Sequence, residues 1–111
     1  MQNQFSDFRS DTVTTPSAEM RQVMSEADVG DDDYRDDPTV IRLEEKVADL
    51  FEKPAALFLP SGTQSNLIAI LTHCQRGDEI ITGKGYHIYA WEGGGASALG
   101  GVIVNSLTTG D

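Results

Sequence analysis

The sequence is poor in cysteine, in basic residues and in long apolar runs. Its one cysteine, Cys74, cannot form a disulfide within the chain, which indicates a reducing, cytoplasmic setting rather than a secreted scaffold. Lysine and arginine number 8 against 18 aspartates and glutamates, and the net charge of −10 argues against nucleic acid or an anionic membrane surface as partners. No apolar run approaches the roughly 18 residues of a membrane span. Residues 1–11 also lack the apolar core of a signal peptide.

The first half of the chain predicts a polar arm followed by two helices. Residues 1–15 form the arm and are expected to be extended, because residues 12–15 favour β conformation. Residues 16–53 contain the helices. Each helix opens on a pair of residues typical of an N-cap and a first helical position, Thr15-Pro16 and Asp37-Pro38.

Apolar residues recur at helical spacing after both pairs. They are Met20, Val23, Met24 and Ala27 in the first helix and Val40, Leu43, Val47, Leu50 and Phe51 in the second. Gly30 is expected to end the first helix and Lys53-Pro54 the second. The acidic loop at 28–37 lacks the glycine and closing glutamate of a calcium-binding EF-hand, and Arg42 stands where that glutamate would fall. A solvated loop is the preferred interpretation.

From residue 55 onwards, strands and helices are expected to alternate. The predicted elements are a strand at 55–59, a helix after the turn at 61–63, a strand at 78–82, a weaker helix at 87–92, a loop at 93–95 and a strand at 102–107. Such alternation implies parallel strands joined by right-handed crossovers. Parallel sheets normally contain more than three strands, so residues 54–111 are expected to be the first part of a larger α/β domain.

The turn Ser61-Gly62-Thr63 carries the most informative local signal. A buried strand is predicted to end there and a helix to begin, so that free backbone N–H groups and the helix dipole would favour an anion. Gly62 would let a phosphate approach the backbone, while Ser61 and Thr63 add hydroxyl donors. The spacing alone is also typical of an ordinary turn capped by Ser or Thr, and such capping turns are commoner than phosphate sites.

His87 occupies a comparable position after the next strand. It follows Gly83-Lys84-Gly85-Tyr86, a turn that lacks the third glycine of a dinucleotide fingerprint. An imidazole at the carboxyl edge of a sheet could stack on a planar cofactor or move protons. A loop histidine taken alone is more often a structural hydrogen-bond donor, and both interpretations stay open at this point.

Three blocks in fixed order give the chain a family resemblance. They are Phe8-Arg9-Ser10-Asp11-Thr12-Val13-Thr14, the segment from Gly30 to Val40 with Tyr34 within it, and Phe58-Leu59-Pro60-Ser61-Gly62-Thr63-Gln64-Ser65-Asn66. Their residues and spacing resemble the low-specificity L-threonine aldolases, within the β-eliminating lyase group of fold-type-I pyridoxal phosphate enzymes. The resemblance covers essentially all 111 residues but only the N-terminal part of such an enzyme.

The resemblance implies an α/β fold in which an N-terminal arm and helices precede the first β-α-β units of a mainly parallel sheet, that of an aspartate aminotransferase-like large domain. It implies pyridoxal 5′-phosphate as cofactor, with Gly62, Thr63 and Ser61 around the phosphate. His87 would stack on the pyridine ring and act as the catalytic base or hold the water that does.

The substrate would be a small β-hydroxy amino acid, and the family's pattern implies three residues that bind it. They are Ser10, as a ligand of the carboxylate, and Tyr34 and Trp91, as walls of the active site. Two departures affect that pocket: Arg35 replaces an expected small residue, and Trp91 stands where the family often has Phe or Tyr. No residue is assigned to a metal.

The implied reaction is retro-aldol cleavage of L-threonine or L-allo-threonine to glycine and acetaldehyde, by a homodimer or homotetramer. The family's Schiff-base lysine lies in a downstream block, and none of Lys46, Lys53 and Lys84 is expected to replace it. These 111 residues alone are therefore expected to be inactive. Two alternatives remain: a truncated, non-catalytic module that pairs with a full-length subunit, and a related β-eliminating tyrosine or tryptophan lyase.

Overall fold

The computed structural model describes residues 6–108, which belong to two compact units, Met1–Ala56 and Leu57–Asp111. The elements are a 3-10 turn at Asp11–Val13, α1 Ala18–Glu26, α2 Pro38–Leu50, α3 Gly62–His73, β1 Glu79–Gly83, α4 His87–Ala90, α5 Gly95–Ala98 and β2 Ile103–Leu107. No helix among residues 6–108 is both long and apolar enough to cross a membrane.

The segment before α1 is less extended than its composition predicts. Asp11–Val13 forms a 3-10 turn because the Ser10 hydroxyl accepts the Thr12 N–H at 3.2 Å and the Thr14 hydroxyl donates to the Asp11 carbonyl at 2.7 Å. The expectation of extended backbone is therefore wrong at these three residues. The part of the expected arm at residues 1–5 lies outside the described residues.

Helix α1 is shorter at both ends than expected. Its N-cap is Ser17 rather than Thr15, because the Ser17 hydroxyl accepts the Met20 N–H at 3.2 Å. The helix ends at Glu26 and the backbone turns extended at Ala27, so the expectation that Gly30 ends it is also wrong. Hydroxyl capping here outweighs the preference of proline for the first helical position.

Asp37 caps α2 as the sequence predicts. One carboxylate oxygen accepts the Thr39 and Val40 N–H groups, both at 2.9 Å, and the other accepts the Gly30 N–H at 3.1 Å. Asp37 thus joins the acidic loop to the helix. The N–H of Val40, followed by that of Gly30, holds the pKa of this carboxyl below its usual range, and burial opposes the shift without cancelling it.

Asp37 makes stability depend on pH in a defined direction. The pKa of Asp37 is lower in the folded chain than its ordinary value of 3.8. The ionised carboxylate therefore stabilises the fold at pH values above 3.8, and this stabilisation is lost as the pH falls through the pKa of the folded state. Because Asn also caps helices, Asp37→Asn isolates the charge. We expect wild type to melt several degrees above Asp37→Asn at pH 7 and to lose this advantage below about pH 4 in thermal melts followed by circular dichroism. Parallel pH curves would contradict this role.

Gly30 is required by a close approach rather than by an unusual backbone angle. A Cβ at this position would collide with the Asp36 carbonyl and lie 2.9 Å from the Asp37 nitrogen. We expect Gly30→Ala to destabilise the protein by about 1–3 kcal/mol, because the backbone of the loop must move. The matched control is Gly85→Ala, whose Cβ meets nothing within 4 Å. Equal melting temperatures for the two variants would show that the contact is not constraining.

The second unit is built on two parallel strands. Strand β1 pairs with β2 in the register Glu79 to Ile103 through Gly83 to Leu107. The core comprises Ile70 of α3, Ala96 of α5 and Val102, with Cys74, Ile80, Ile88 and Val104 packed against them. The predicted strands at 78–82 and 102–107 are therefore confirmed, together with their parallel direction.

Two other expectations for this half are wrong. Residues 55–59 form no strand, because a strand requires a hydrogen-bonded neighbour and the sheet of residues 6–108 consists of β1 and β2. The expected loop at 93–95 is wrong only at Gly95, which begins α5 and is followed by the buried Ala96, whereas Gly93 and Gly94 form a turn. The chain is α/β with a small parallel sheet, as predicted at that level.

Candidate functional site

The first part of the candidate site is the N-terminus of α3. Ser61 is the N-cap: its hydroxyl accepts the Gln64 N–H at 3.2 Å and its carbonyl accepts the Ser65 N–H at 3.1 Å. The N–H groups of Gly62 and Thr63 have no hydrogen-bond partner among the described residues. The capping interpretation therefore holds for Ser61, while two donors remain available for an anion.

Open space adjoins the Cα of Gly62. A Cβ on Gly62 would meet no atom within 4 Å, and all three residues of the turn are exposed. Helix α3 has 12 residues, enough for a full dipole at its N-terminus. The turn is therefore open to solvent, and no described atom crowds the backbone at Gly62.

The second part is α4, which carries His87 and precedes Trp91. The His87 side chain is 63% exposed and its Nδ1 lies 2.8 Å from a carboxylate oxygen of Glu92. Trp91 is 74% exposed and is the C-cap of α4, where its backbone N–H donates to the His87 carbonyl at 2.8 Å. The first residue of this short helix thus presents an imidazole and its C-cap residue an indole, both exposed.

Glu92 connects the two parts. Its side chain is only 4% exposed, and the same oxygen, Oε1, accepts from Asn66 Nδ2 at 2.6 Å and faces His87 Nδ1 at 2.8 Å. Burial raises the pKa of this carboxyl, but the hydrogen bonds from His87 and Asn66 and the charge of His87 outweigh burial and hold the pKa below its usual value. The group is therefore ionised at neutral pH.

Sequence reasoning singled out neither Glu92 nor Asn66 as a site residue. Asn66 closes the third block of the family pattern, and that position is the only signal that could have drawn attention to it. Glu92 follows the end of a four-residue helix, so no periodic spacing relates it to His87. The contact arises from the packing of α3 against α4.

Ser10 and Tyr34 belong to the first unit. The Ser10 hydroxyl bonds with the Thr12 hydroxyl at 2.9 Å as well as capping the 3-10 turn. Tyr34 is 75% exposed within the acidic loop. Arg35, the unexpected neighbour, has a positive φ of 59° and bonds to the buried carboxylate of Glu44 at 2.7 Å. The first unit thus presents a hydroxyl and a phenol ring to solvent.

Other ligand sites receive little support from the described residues. No group of three or more His, Cys, Asp and Glu side chains in residues 6–108 is arranged to hold a metal ion. A cavity of about 430 Å³ lies in the first unit against α2, and none of the seven predicted site residues lines it. Among residues 6–108, the candidate site therefore consists of the N-terminus of α3 and the His87 imidazole, which Asn66 and Glu92 connect.

Comparison with known proteins gives a consistent family. The sequence profile described as beta-eliminating lyase matches residues 7–111. A low specificity L-threonine aldolase of Escherichia coli K12 is 55% identical over 96 residues, which are 86% of this chain and 29% of that protein. A probable low-specificity L-threonine aldolase of Arabidopsis thaliana is 54% identical over 97 residues, 86% of this chain and 27% of that protein.

A more distant relative extends the agreement. A probable low-specificity L-threonine aldolase of Schizosaccharomyces pombe is 44% identical over 105 residues, 94% of this chain and 28% of that protein. The chain thus spans less than a third of the length of each of these relatives. Since the family profile covers nearly the whole chain, the chain belongs to the beta-eliminating lyase family.

Proposed function

We propose that this chain forms the N-terminal part of a longer, cytoplasmic, pyridoxal phosphate-dependent enzyme that cleaves L-threonine or L-allo-threonine to glycine and acetaldehyde. The observation that carries the proposal is the 44–55% identity to proteins named as low-specificity L-threonine aldolases, over 86–94% of the chain. We expect the lysine that holds the cofactor covalently to lie outside these 111 residues, as the family resemblance implies, and the relatives are about three times as long as this chain.

The residues at the start of α3 fit the phosphate of the cofactor. A phosphate needs several hydrogen-bond donors and a positive local field, which the unpartnered N–H groups of Gly62 and Thr63 and the helix dipole supply. The Thr63 and Ser61 hydroxyls add donors, and the space beside Gly62 allows close approach. When bound, pyridoxal phosphate supplies an electron sink for the electrons released as the Cα–Cβ bond of the substrate breaks.

His87 is the candidate for the proton transfer. A base must accept the proton of the substrate β-hydroxyl as the carbon–carbon bond breaks, and a neutral imidazole can do so near pH 7. The exposed face of the ring allows it to stack on a planar group. Ser10 is proposed to donate to the substrate carboxylate, while Tyr34 and Trp91 are proposed to form walls of the pocket.

Assembly is part of the same proposal. We propose a homodimer or homotetramer for the full-length enzyme, since the resemblance carries that expectation and the edges of β1 and β2 away from each other have no strand beside them among residues 6–108. An unpaired sheet edge requires cover, either from further segments of its own subunit or from another subunit.

The test is substrate turnover by the protein expressed from its own gene. The protein, supplied with pyridoxal phosphate, is incubated separately with L-allo-threonine, L-threonine and tryptophan, and acetaldehyde and indole are measured. Acetaldehyde from the first two supports the aldolase. Indole from tryptophan would favour a related β-eliminating lyase. A product of 12.0 kDa mass, no turnover and association with a longer subunit on size-exclusion chromatography would favour the pairing module instead.

A further inference from the structure

We propose that Glu92 is a positioning residue for His87: its carboxylate holds the imidazole with the proton on Nδ1, so that Nε2 is the basic atom of the ring. This inference rests on the proposed function, because it specifies how His87 is prepared for proton transfer. It concerns a residue that touches neither the cofactor nor the reacting atoms in the proposal. Its effect passes entirely through the imidazole.

The hydrogen bonds at Glu92 define the direction of the interaction. An ionised carboxylate has no proton to donate, so both groups that contact Oε1 must donate to it. Asn66 contributes its amide N–H at 2.6 Å, and His87 therefore contributes Nδ1–H at 2.8 Å. In the neutral ring this leaves the lone pair on Nε2, which is the tautomer that a base acting through Nε2 requires.

Burial of the Glu92 carboxylate makes both of its hydrogen bonds necessary. A carboxylate that is 4% exposed loses most of its hydration and is tolerated only when donors replace the water. The two donors come from different elements, α3 and α4, so loss of either leaves the charge poorly compensated. The ring of His87 is consequently held by a group that cannot turn away to solvent at low cost.

The Glu92 carboxylate also links the His87 imidazole to the proposed phosphate site at the start of α3. Asn66 lies about one helical turn after Gly62 on α3. A rigid helix therefore fixes the distance between the free N–H groups at its start and the amide that anchors Glu92. The orientation of His87 is set relative to the proposed phosphate site, not only relative to its own short helix.

A protonated His87 would also benefit from this neighbour. When Nε2 takes a proton, the ring becomes a cation with Nδ1–H directed at a carboxylate, which stabilises the charge as in other acid–base pairs. The charged groups shown to contact the ring are limited to Glu92 among residues 6–108. The transfer of the proton to Nε2 is thereby made easier without any change at the cofactor.

The experiment compares Glu92→Ala with Glu92→Gln in the full-length protein. Glutamine keeps an oxygen that can accept from both Asn66 and His87, whereas alanine removes the acceptor. The matched control is Glu79→Ala, which removes an exposed carboxylate of the same unit, on strand β1 and outside the candidate site. The first readout is the tautomer of His87 in ¹⁵N-histidine-labelled protein, with its signals identified by their loss in His87→Phe. The second is kcat and KM for L-allo-threonine.

We expect Glu92→Ala to lose the Nδ1–H tautomer and to lower kcat about 10- to 100-fold with KM changed less than about threefold, because ring orientation matters more in the transition state than in binding. Glu92→Gln should retain the tautomer but recover only part of the rate, because it orients the ring without the charge that stabilises the protonated imidazole, and Glu79→Ala should resemble wild type. Retention of the tautomer and kcat in Glu92→Ala would overturn the proposal. A wild-type ring with its neutral proton on Nε2 would overturn it without any variant, even if Glu92→Ala fails to fold.

The two readouts separate this inference from the proposed function. If the wild-type protein releases no acetaldehyde, the aldolase proposal fails. The tautomer measurement still decides whether Glu92 positions His87, because it needs neither cofactor nor substrate.

Discussion

Replacing His87 with Phe is expected to lower kcat for L-allo-threonine cleavage by about 10²- to 10⁴-fold, the usual contribution of general acid–base catalysis. Phenylalanine keeps a flat ring that can stack on the pyridine but has no nitrogen to accept a proton. The affinity for pyridoxal phosphate should therefore change little, while turnover collapses. The measurement is steady-state kinetics of acetaldehyde release alongside a titration of cofactor-free protein with pyridoxal phosphate.

The control for this variant addresses Glu92. Phenylalanine removes one of the two donors to a buried carboxylate, which alone could lower stability. In the double variant His87→Phe/Glu92→Gln the uncompensated charge is absent, so the melting temperature should recover while kcat stays low. Full retro-aldol activity in His87→Phe would disprove the role of His87 as base. Recovery of kcat in the double variant would assign the loss to stability instead.

The capping signals show which local features the sequence determines. Asp37-Pro38 predicts the start of α2 correctly, because the carboxylate satisfies two N–H groups of its own first turn and needs no distant residue. Thr15-Pro16 has the same form and fails, because Ser17 lies two residues further on and caps the helix instead. Where two hydroxyl residues close in sequence compete for the cap, the choice depends on backbone angles that composition does not encode.

Strand formation, unlike helix capping, depends on segments that lie far apart in the sequence. The segments at 78–82 and 102–107 pair with each other and form β1 and β2, whereas the more apolar run at 55–59 has no strand beside it among residues 6–108. The pattern of such a run records burial and backbone preference, but a strand exists only when a second segment lies at hydrogen-bonding distance. Sequence analysis could therefore predict which segments are candidate strands and that paired strands would be parallel. It could not predict which of these segments would pair.

In the candidate site, too, the local features could be predicted from the sequence and the long-range contact could not. The turn at Gly62 and Thr63 and the position of His87 follow from local signals and from the family resemblance. The link between them does not, because Glu92 meets Asn66 across 26 positions of the chain through the packing of two helices. Long-range contacts of this kind leave no periodic trace in a single sequence. The roles of Ser10, Tyr34 and Trp91 in binding substrate stay predictions.

Gly62→Ala is expected to weaken pyridoxal phosphate binding about 10- to 100-fold, which corresponds to loss of one hydrogen bond to a charged group. The new Cβ would meet no protein atom within 4 Å, so the fold itself has no reason to change. We expect it instead to hinder the approach of the phosphate to the backbone, where the N–H groups of Gly62 and Thr63 have no partner among residues 6–108. The affinity is measured by titrating cofactor-free protein and following the absorbance of the bound cofactor.

Gly95→Ala is the matched control for this prediction. Gly95 is also the first residue of a helix, its φ is not positive, and a Cβ there also meets nothing within 4 Å. Both variants should melt at or slightly above the wild-type temperature without cofactor, because alanine favours helix more than glycine does. Only Gly62→Ala should lose affinity, and inorganic phosphate should compete with the cofactor in wild type more strongly than in Gly62→Ala. Unchanged affinity in Gly62→Ala would place the phosphate elsewhere and remove the anion-binding role of α3.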